Sequence, residues 1–272
     1  MLHILTLNWN GADKLQKLYQ TLLPSLEDIT YTWWIKDNNS KDNSLKVIED
    51  FRGAVKVINY KDNRQNFAEG VNYLFQQASP GDNDLVMLLN NDVVFKDTDS
   101  INKMLNILHK DTSVGVVGAR LLYPDSETLQ HAGVVFTQTP AHFRAGQTSD
   151  EAAEKNRMFQ AVTGAVLITR PECYRNVCTT NKSGINGMDE SYHWAFDDVD
   201  LCLSVNYNQK KKIVYCGGTN ISHEESATLK KNPTNKLFLN HNLLYLFKKW
   251  QKIYVADKDI YTLDSRHNLY RG

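Results

Sequence analysis

The sequence lacks any apolar run long enough to cross a membrane, since no stretch approaches the roughly 18 uninterrupted apolar residues that a spanning helix needs. It also lacks net charge: 31 basic residues balance 31 acidic ones, so whole-molecule charge favours neither nucleic acid nor an acidic partner. The first residues do not show the basic and apolar blocks of a secretory signal. We therefore expect a cytoplasmic protein, with a peripheral position on the inner face of a membrane as the further option.

Cysteine is scarce as well. The four cysteines, Cys173, Cys178, Cys202 and Cys216, are too few for a disulfide scaffold in a chain of 272 residues and lack the paired spacing of a metal site. We expect all four to be reduced. Cys202 and Cys216 fall within apolar stretches, which predicts small core residues rather than reactive thiols.

Two phosphate-binding motifs are also missing. The Gly-rich dinucleotide fingerprint does not follow the first predicted strand, where Asn8-Trp9-Asn10-Gly11 stands instead, and the chain has no P-loop. Hydride transfer and P-loop phosphoryl transfer therefore lose support. What remains is a nucleotide site of another kind, built from acidic and amide side chains.

What the sequence does contain is a regular alternation of strand and helix patterns in its first half, which predicts a mainly parallel sheet with right-handed crossovers. The predicted strands are residues 2–8, 32–36, 54–58 and 85–89, and the predicted helices are residues 12–23, 43–51, 67–77 and 100–108. The second half is less regular, with strand patterns at residues 115–117, 133–136, 163–169 and 212–215. We interpret it as a continuation of the same sheet with a substrate-binding portion.

The polar stretch from Thr137 to Asn156 is predicted to be a mobile excursion, with a lid as one option, because Thr148-Ser149-Asp150-Glu151 offers no apolar anchor. The tail from Lys236 to Tyr254 is amphipathic. Its apolar stripe consists of Leu239, Leu243, Leu246, Trp250 and Ile253, and its basic residues are Lys248, Lys249 and Lys252. A helix docked on the sheet is the favoured interpretation, and a membrane-surface helix that meets a lipid-linked acceptor is the alternative.

Polar residues follow three predicted strands, as Asn8-Trp9-Asn10-Gly11, Asp37-Asn38-Asn39-Ser40 and Asn90-Asn91-Asp92. Ligands of open α/β sheets bind at the carboxyl ends of the strands, so these loops are expected to line one cleft. Asp92 follows a fully apolar strand and is well placed to hold a metal or a phosphate-bearing substrate. The alternative is a turn or helix-capping residue.

Four segments in this order resemble glycosyltransferase family 2, especially its rhamnosyltransferase-like branch, over roughly residues 1–225. They are residues 4–11, 37–44, 88–92 and 197–202, with further matches at residues 67–72, 115–118 and 164–165. The resemblance implies a GT-A α/β fold with a mainly parallel central sheet flanked by helices. It divides the chain into a transferase domain of residues 1–225, with a nucleotide-binding half (1–110) and an acceptor and catalytic half (111–225), and a C-terminal amphipathic helical appendage (226–272).

The implied reaction is inverting transfer of a sugar from a nucleoside-diphosphate sugar to an acceptor hydroxyl, on a carbohydrate or a lipid-linked acceptor. A nucleic-acid acceptor gains no support from the neutral chain. By resemblance, Asp92 with His223 would hold Mn²⁺ or Mg²⁺, although Asn90 replaces the first acid of the family's Asp-x-Asp signature. The residues expected to bind the nucleotide sugar are Asn8, Asp37, Asn39, Arg64, Asn90, Asn91 and Trp194.

Asp37 favours a UDP- or dTDP-sugar, because a carboxylate is an acceptor that suits the imide N–H of uracil or thymine. The alternative is that Asp37 and Ser40 only shape the turn and cap the next helix. Trp194 is a candidate for stacking on a sugar face, with core packing as the alternative.

Asp197-Asp198-Val199-Asp200 opens a predicted helix, where three acids also suit the helix dipole. Repulsion between Asp197 and Asp198 can raise one pKa toward that of a general base. The resemblance makes Asp198 the catalytic base, with Asp197 the second choice and Asp200 orienting the helix. A noncatalytic nucleotide-sugar-binding module and a nucleotidyltransferase are the competing functions. The nucleotidyltransferase would carry a Gly-rich basic loop after its first strand, which is absent here.

Overall fold

A mixed sheet runs through the whole protein. The structure is a computed structural model and describes residues 1–51, 53, 55–59, 66–137, 139–193, 195–224, 234–250, 257 and 268–272. The neighbouring strands across the sheet are, in order, residues 157–159, 212–223, 114–122, 166–169, 85–89, 2–8, 31–37 and 55–59. Residues 93–95 pair with the strand 212–223, and residues 129–131 pair with the strand 114–122. Residues 134–136 and 140–142 form a separate two-stranded pair.

The first half alternates strands and helices as predicted. Its elements are β1 (Leu2–Asn8), α1 (Ala12–Leu22), β2 (Tyr31–Asp37), α2 (Ser44–Glu49), β3 (Val55–Asn59), α3 (Phe67–Ala78) and β4 (Leu85–Leu89). Strands β4, β1, β2 and β3 are neighbours in that order and all pairs are parallel. The register sets Asn8 opposite Asp37. The carboxyl ends of these strands therefore lie at one edge of the sheet.

The second half adds antiparallel strands to this parallel core. Its elements are β5 (Val93–Phe95), α4 (Ser100–Lys110), β6 (Val114–Leu122), β7 (Leu129–His131), β8 (Val134–Phe136), β9 (Pro140–His142), β10 (Arg157–Phe159), β11 (Val166–Thr169), α5 (Pro171–Arg175), α6 (Asp197–Leu203), β12 (Lys212–His223) and α7 (Thr234–Trp250). Strand β11 lies antiparallel between β4 and β6, whereas β12 is parallel to β6. The second half thus continues the same sheet, as expected.

Apolar side chains fill both faces of the sheet. On one face, buried residues of α1 and α4, such as Leu15 and Met104, pack with Trp33 of β2. On the other face, α3 and α6 contribute residues such as Leu74 and Leu201. Both faces of β4 are covered, which explains its uninterrupted apolar sequence.

All four cysteines are free, as predicted, and Cys202 and Cys216 are buried in the core. Burial raises the pKa of the Cys216 thiol to about 12, so the thiolate is disfavoured there. Burial likewise raises the pKa of the Cys202 thiol. These two residues have the environment of core side chains.

Residues 148–151, which offer no apolar anchor, are exposed or partly exposed, and neighbouring residues connect the stretch to the rest of the fold. Arg144 forms a bidentate pair with Asp150, with nitrogen–oxygen distances of 2.7 and 2.9 Å. Ala153 is buried, and the Tyr215 hydroxyl donates to its carbonyl oxygen at 2.8 Å. A mobile excursion or lid in this stretch stays a prediction.

Helix α7 is docked on the protein, but its described hydrogen bonds are to α6 and the segment that leads into it rather than to the sheet that the sequence favoured. Leu246 and Trp250 of its apolar stripe are buried, and Ile253 lies outside the described residues. Lys249 Nζ lies 2.7 Å from Asp189 Oδ2 and 2.9 Å from Asp200 Oδ1. Among the described residues, no helix is long and apolar enough to span a membrane. Membrane contact through α7 stays a prediction.

Candidate active site

The three polar strand ends meet in the structure as the sequence predicts. Asn8 Nδ2 donates to Asp37 Oδ1 at 2.9 Å, and Asn91 Nδ2 donates to Asn8 Oδ1 at 2.8 Å. Gly11 lies against both amides: an added Cβ would stand 2.5 Å from Asn91 Nδ2 and 2.7 Å from Asn8 Oδ1. A larger residue at position 11 would push these loops apart. One chain of hydrogen bonds therefore joins the ends of β2, β1 and β4.

Asp37 is fully buried and its carboxylate organises the turn after β2. Oδ1 accepts from the Ser40 hydroxyl at 2.7 Å, and Oδ2 accepts from the Ser40 amide at 2.9 Å. Asn39 adopts a left-handed conformation with φ of 58° within this turn. These contacts agree with the turn-shaping alternative, and Oδ2 retains capacity to accept a further hydrogen bond. Contact of Asp37 or Asn39 with a nucleobase stays a prediction.

Asp92 and His223 come together although 131 positions of sequence separate them. Asp92 Oδ1 lies 3.1 Å from His223 Nε2. Despite this distance, Oδ1 is buried and has no hydrogen-bond partner among the described residues. The other oxygen, Oδ2, accepts from Lys14 Nζ at 3.3 Å. Burial raises the pKa of Asp92, but His223 and Lys14 outweigh burial and lower it overall.

Gln130 fixes the proton of the His223 ring. Its amide nitrogen donates to the His223 carbonyl oxygen at 3.0 Å, which turns its own Oε1 toward His223 Nδ1, 2.7 Å away. Since Oε1 only accepts, Nδ1 must carry the hydrogen, and in the neutral ring Nε2 keeps a lone pair. That lone pair faces Asn90 Nδ2 at 3.3 Å and the unpaired oxygen of Asp92.

This arrangement fits a divalent cation. In the neutral ring, the lone pair of His223 Nε2 and the carboxylate oxygen Asp92 Oδ1 lie 3.1 Å apart, and both kinds of atom are ligands that Mn²⁺ accepts. Gln130 supplies the outer hydrogen bond that metal-bound histidines commonly make. In the described part of the chain, no group of three or more His, Cys, Asp or Glu side chains could hold a metal ion. A metal held by Asp92 and His223 therefore needs additional ligands from its substrate or from water.

The acidic helix start lies beside the same cleft. Asp198 is partly exposed, and its Oδ2 accepts from the Gly164 amide at 2.8 Å while its Oδ1 accepts from the Val199 amide at 2.8 Å. Gly164 allows this close approach, because an added Cβ would stand 2.9 Å from Asp198 Cβ. The main-chain carbonyl oxygen of the next residue, Ala165, accepts a hydrogen bond from the main-chain N–H of Asn90 at 2.9 Å. Two adjacent residues thus connect Asp198 to the Asn90–Asp92 loop.

Asp197 is buried next to Asp198 and has an altered acidity. Burial and then the charge of Asp198 raise the pKa of Asp197 to about 7. The charge of Asp198 is thus one of the causes that raise the pKa of Asp197, after burial. Asp198 is the more exposed of the two acids.

Asp200 has the orienting role expected for it. It is fully buried, and its carboxylate accepts from Lys249, from Trp250 Nε1 at 2.7 Å and from the Tyr192 hydroxyl at 3.1 Å. Burial raises its pKa, although the hydrogen bonds from α7 oppose this effect. Asp200 thereby ties the acidic helix α6 to α7.

Two predicted residues, Arg64 and Trp194, lie outside the described residues. Sequence reasoning missed three others: Lys14, Gln130 and Trp9. Lys14 is in the first turn of α1, and its closeness to Asp92 requires knowledge of the strand order. Gln130 lies in a three-residue strand without a recognisable pattern. Trp9 is 55% exposed beside Asn8, and its position within the first motif was an available signal.

The sequence matches the model of a known protein family. The model described as glycosyl transferase family 2 matches residues 4–168, which is more than half of the chain. The matched region contains Asp37, Asp92 and Gly164, whereas Asp198 and His223 follow it. A search of curated proteins found no match to this chain.

Solved structures share the fold at low sequence identity. The mannosyltransferase PcManGT from Pyrobaculum calidifontis, in complex with GDP-Man and Mn²⁺, is 11% identical with a TM-score of 0.62, and the alignment covers 94% of this chain and 65% of that one. GalNAc-T7 with UDP, GalNAc and Mn²⁺ is 12% identical with a TM-score of 0.68, covering 93% of this chain and 49% of that one. S. aureus TarS 1-349 with UDP-GlcNAc is 12% identical with a TM-score of 0.60, covering 98% and 68%.

This chain spans between about half and two thirds of the length of these three proteins. At such identities the similarity concerns the fold, and the expected GT-A fold is confirmed.

Proposed function

The chain belongs to glycosyl transferase family 2, and on this basis we propose that it transfers a sugar from a nucleoside-diphosphate sugar to an acceptor hydroxyl with inversion at the anomeric carbon. The observation that carries the proposal is the unpaired, buried Asp92 Oδ1 facing His223 Nε2 at the carboxyl edge of the sheet. In open α/β sheets this edge is where ligands bind. The structurally similar proteins with bound GDP-Man or UDP-GlcNAc support a donor of this class.

The donor would lie across the ends of β1, β2 and β4. Asn8, Asn91 and Asp37 offer amide and carboxylate groups there, and the exposed ring of Trp9 offers an apolar surface beside them. UDP or dTDP would suit the acceptor-only carboxylate of Asp37. The Mn²⁺ present in two of the similar structures supports a divalent metal held by Asp92 and His223. When bound, such a metal offsets the charge that builds on a leaving diphosphate.

Asp198 would act as the general base. As the acceptor oxygen attacks the anomeric carbon, its proton passes to Asp198, the bond to the diphosphate breaks, and its electron pair leaves with the phosphate oxygen. The Gly164 amide holds the Asp198 carboxylate in place, and each carboxylate oxygen retains a lone pair for the proton. Attack from the face opposite the leaving group inverts the configuration.

Donor binding is the first test. Wild-type protein and Asp92→Asn would be heated with UDP-, dTDP- and GDP-sugars, each with Mn²⁺, with Mg²⁺ and with EDTA. We expect at least one sugar nucleotide to raise the melting temperature of the wild type when Mn²⁺ is present, and we expect Asp92→Asn to lose most of that rise. A melting temperature that no sugar nucleotide changes would contradict the proposal.

A noncatalytic binding module is the remaining competitor. It would show the same thermal stabilisation but no release of sugar from the donor. The nucleotidyltransferase alternative predicts instead stabilisation by a nucleoside triphosphate together with a sugar phosphate, so both combinations belong in the panel.

A further inference from the structure

Lys14 occupies the side of Asp92 that His223 does not contact. Its Nζ lies 3.3 Å from Asp92 Oδ2 and 3.8 Å from Glu224 Oε2. About a third of its side chain is exposed, 32%, whereas Asp92 is 9% exposed. The ammonium group is therefore partly open to the cleft. Asp92 thus has two different sides, one with an unpaired oxygen beside His223 and one with a cation.

The charges around Lys14 suit an anionic ligand. Lys14 contacts Asp92 and Glu224, and Lys17 contacts Glu224 at 3.7 Å. These two lysines balance the two acids before any metal is present. Asn90 adds no negative charge, so a divalent cation would leave this end of the cleft positively charged. A diphosphate would then neutralise it.

We propose that Lys14 binds the diphosphate of the donor and stabilises it as the leaving group. This inference rests on the proposed function. In the ligand-free protein Lys14 pairs with Asp92, and donor binding offers it phosphate oxygens in place of one carboxylate oxygen. A lysine ammonium is a common phosphate partner, and its electrostatic interaction with a phosphate is strongest where solvent is excluded. As the bond to the anomeric carbon breaks, the electron pair moves to the phosphate oxygen, and the Lys14 charge stabilises the product diphosphate.

The test compares Lys14→Met with Lys17→Met as the matched control. Lys17 is 63% exposed and contacts Glu224 but not Asp92. Calorimetry would measure the affinity for UDP and for uridine with Mn²⁺ present, and electron paramagnetic resonance would measure the affinity for Mn²⁺ alone. If GDP or dTDP stabilises the wild type more than UDP, that nucleotide and its nucleoside replace UDP and uridine.

We expect Lys14→Met to weaken diphosphate binding by about tenfold to a hundredfold. Nucleoside affinity should be retained, and Mn²⁺ affinity should stay the same or rise, because the substitution removes a cation that lies 3.3 Å from the carboxylate proposed to hold the metal. Lys14→Arg should recover part of the loss, since it restores the charge, and Lys17→Met should change diphosphate affinity less than threefold.

Two results would overturn the inference. Unchanged diphosphate affinity in Lys14→Met would mean that Lys14 only balances Asp92. Weaker Mn²⁺ binding in Lys14→Met would mean that Lys14 only holds Asp92 in position. Failure of the wild type to bind any nucleoside diphosphate would instead count against the proposed function itself, so the two failures are distinguishable.

Discussion

At the scale of single residues, the site depends on which of two neighbouring acids takes the proton. Asp198 is reachable from the cleft and is held by the Gly164 amide, whereas Asp197 is buried with a raised pKa. Asp198 is thus the more accessible acid, and Asp197 is the acid with the raised pKa. Because a base must reach the acceptor hydroxyl, accessibility is the reason for proposing Asp198 as the base.

Asp198→Asn tests this assignment. The substitution keeps the hydrogen bond from Gly164 but removes the basic oxygen, so turnover should fall by about 10²- to 10⁴-fold while donor affinity is retained. Steady-state kinetics and calorimetry would separate the two effects. Asp197→Asn serves as the comparison, and a larger loss of turnover in that variant than in Asp198→Asn would reverse the roles.

Asp197 also makes a prediction about stability. Its pKa is raised from the usual 3.8 to about 7, so between these values the folded protein binds a proton that the unfolded chain does not. The contribution of Asp197 to stability therefore falls as pH rises through this interval. Asp197→Asn should remove that fall, making the variant more stable relative to wild type at pH 8 than at pH 4.5 by at least about 1 kcal/mol. Urea denaturation at both pH values measures the difference, and no change in it would contradict the shifted pKa.

Gln130 makes a third prediction at this scale. Gln130→Leu removes the partner that fixes the hydrogen on His223 Nδ1. Mn²⁺ affinity should fall by about 10- to 100-fold, as is typical when the outer hydrogen bond of a metal-bound histidine is lost. Nitrogen-15 NMR of the metal-free protein should show His223 protonated at Nδ1 in the wild type only. Equal Mn²⁺ affinity in both proteins would remove Gln130 from this role.

At the scale of elements, α7 is joined to the start of α6 and to the segment before it by buried polar contacts. Lys249 is paired with both Asp189 and Asp200, and Trp250 donates to Asp200. Burial lowers the pKa of Lys249, but the two carboxylates outweigh it and raise the pKa overall. Lys249, one of the three lysines near the end of this segment, is thus paired with two buried acids inside the protein.

Replacing Lys249 with Met should therefore be strongly destabilising. It leaves two buried carboxylates near each other without a cation, a change that costs about 3–5 kcal/mol in comparable buried pairs. Lys248→Met is the control, because Lys248 is exposed and surface substitutions stay within about 0.5 kcal/mol. Chemical denaturation measures both variants. Equal stability of the two would show that the buried pairs contribute nothing.

Strands and helices of the first half were predictable because each has a long apolar or amphipathic pattern, as in Leu85–Leu89. Strands β5, β7, β9 and β10 were not, since each has only three residues and its pairing depends on distant segments. Gln130 belongs to one of these strands. The strand pattern already indicated Asp92 as a candidate metal ligand, whereas His223 came from the resemblance, because no local pattern relates positions so far apart.

At the scale of the whole molecule, one mixed sheet brings together polar residues from segments that are far apart in the sequence, between β1 and β12. Asn8 is hydrogen-bonded to Asp37, Asp92 lies beside His223, and Asp198 accepts a hydrogen bond from Gly164. The parallel half positions Asn8, Asp37 and Asp92, whereas His223 ends β12, which is parallel to β6, and Gly164 precedes the antiparallel strand β11. Both halves are needed for the proposed reaction.

Inverting transfer from a nucleotide sugar is tested by measuring turnover of the donor that stabilises the protein most. Proton NMR of that α-linked sugar nucleotide with Mn²⁺ would follow release of the sugar and its initial anomeric configuration. We predict slow release of the β-anomer by the wild type and loss of this release in Asp92→Asn and Asp198→Asn. Stabilisation without release, with water or with added sugar acceptors, or first release of the α-anomer, would contradict an inverting glycosyltransferase.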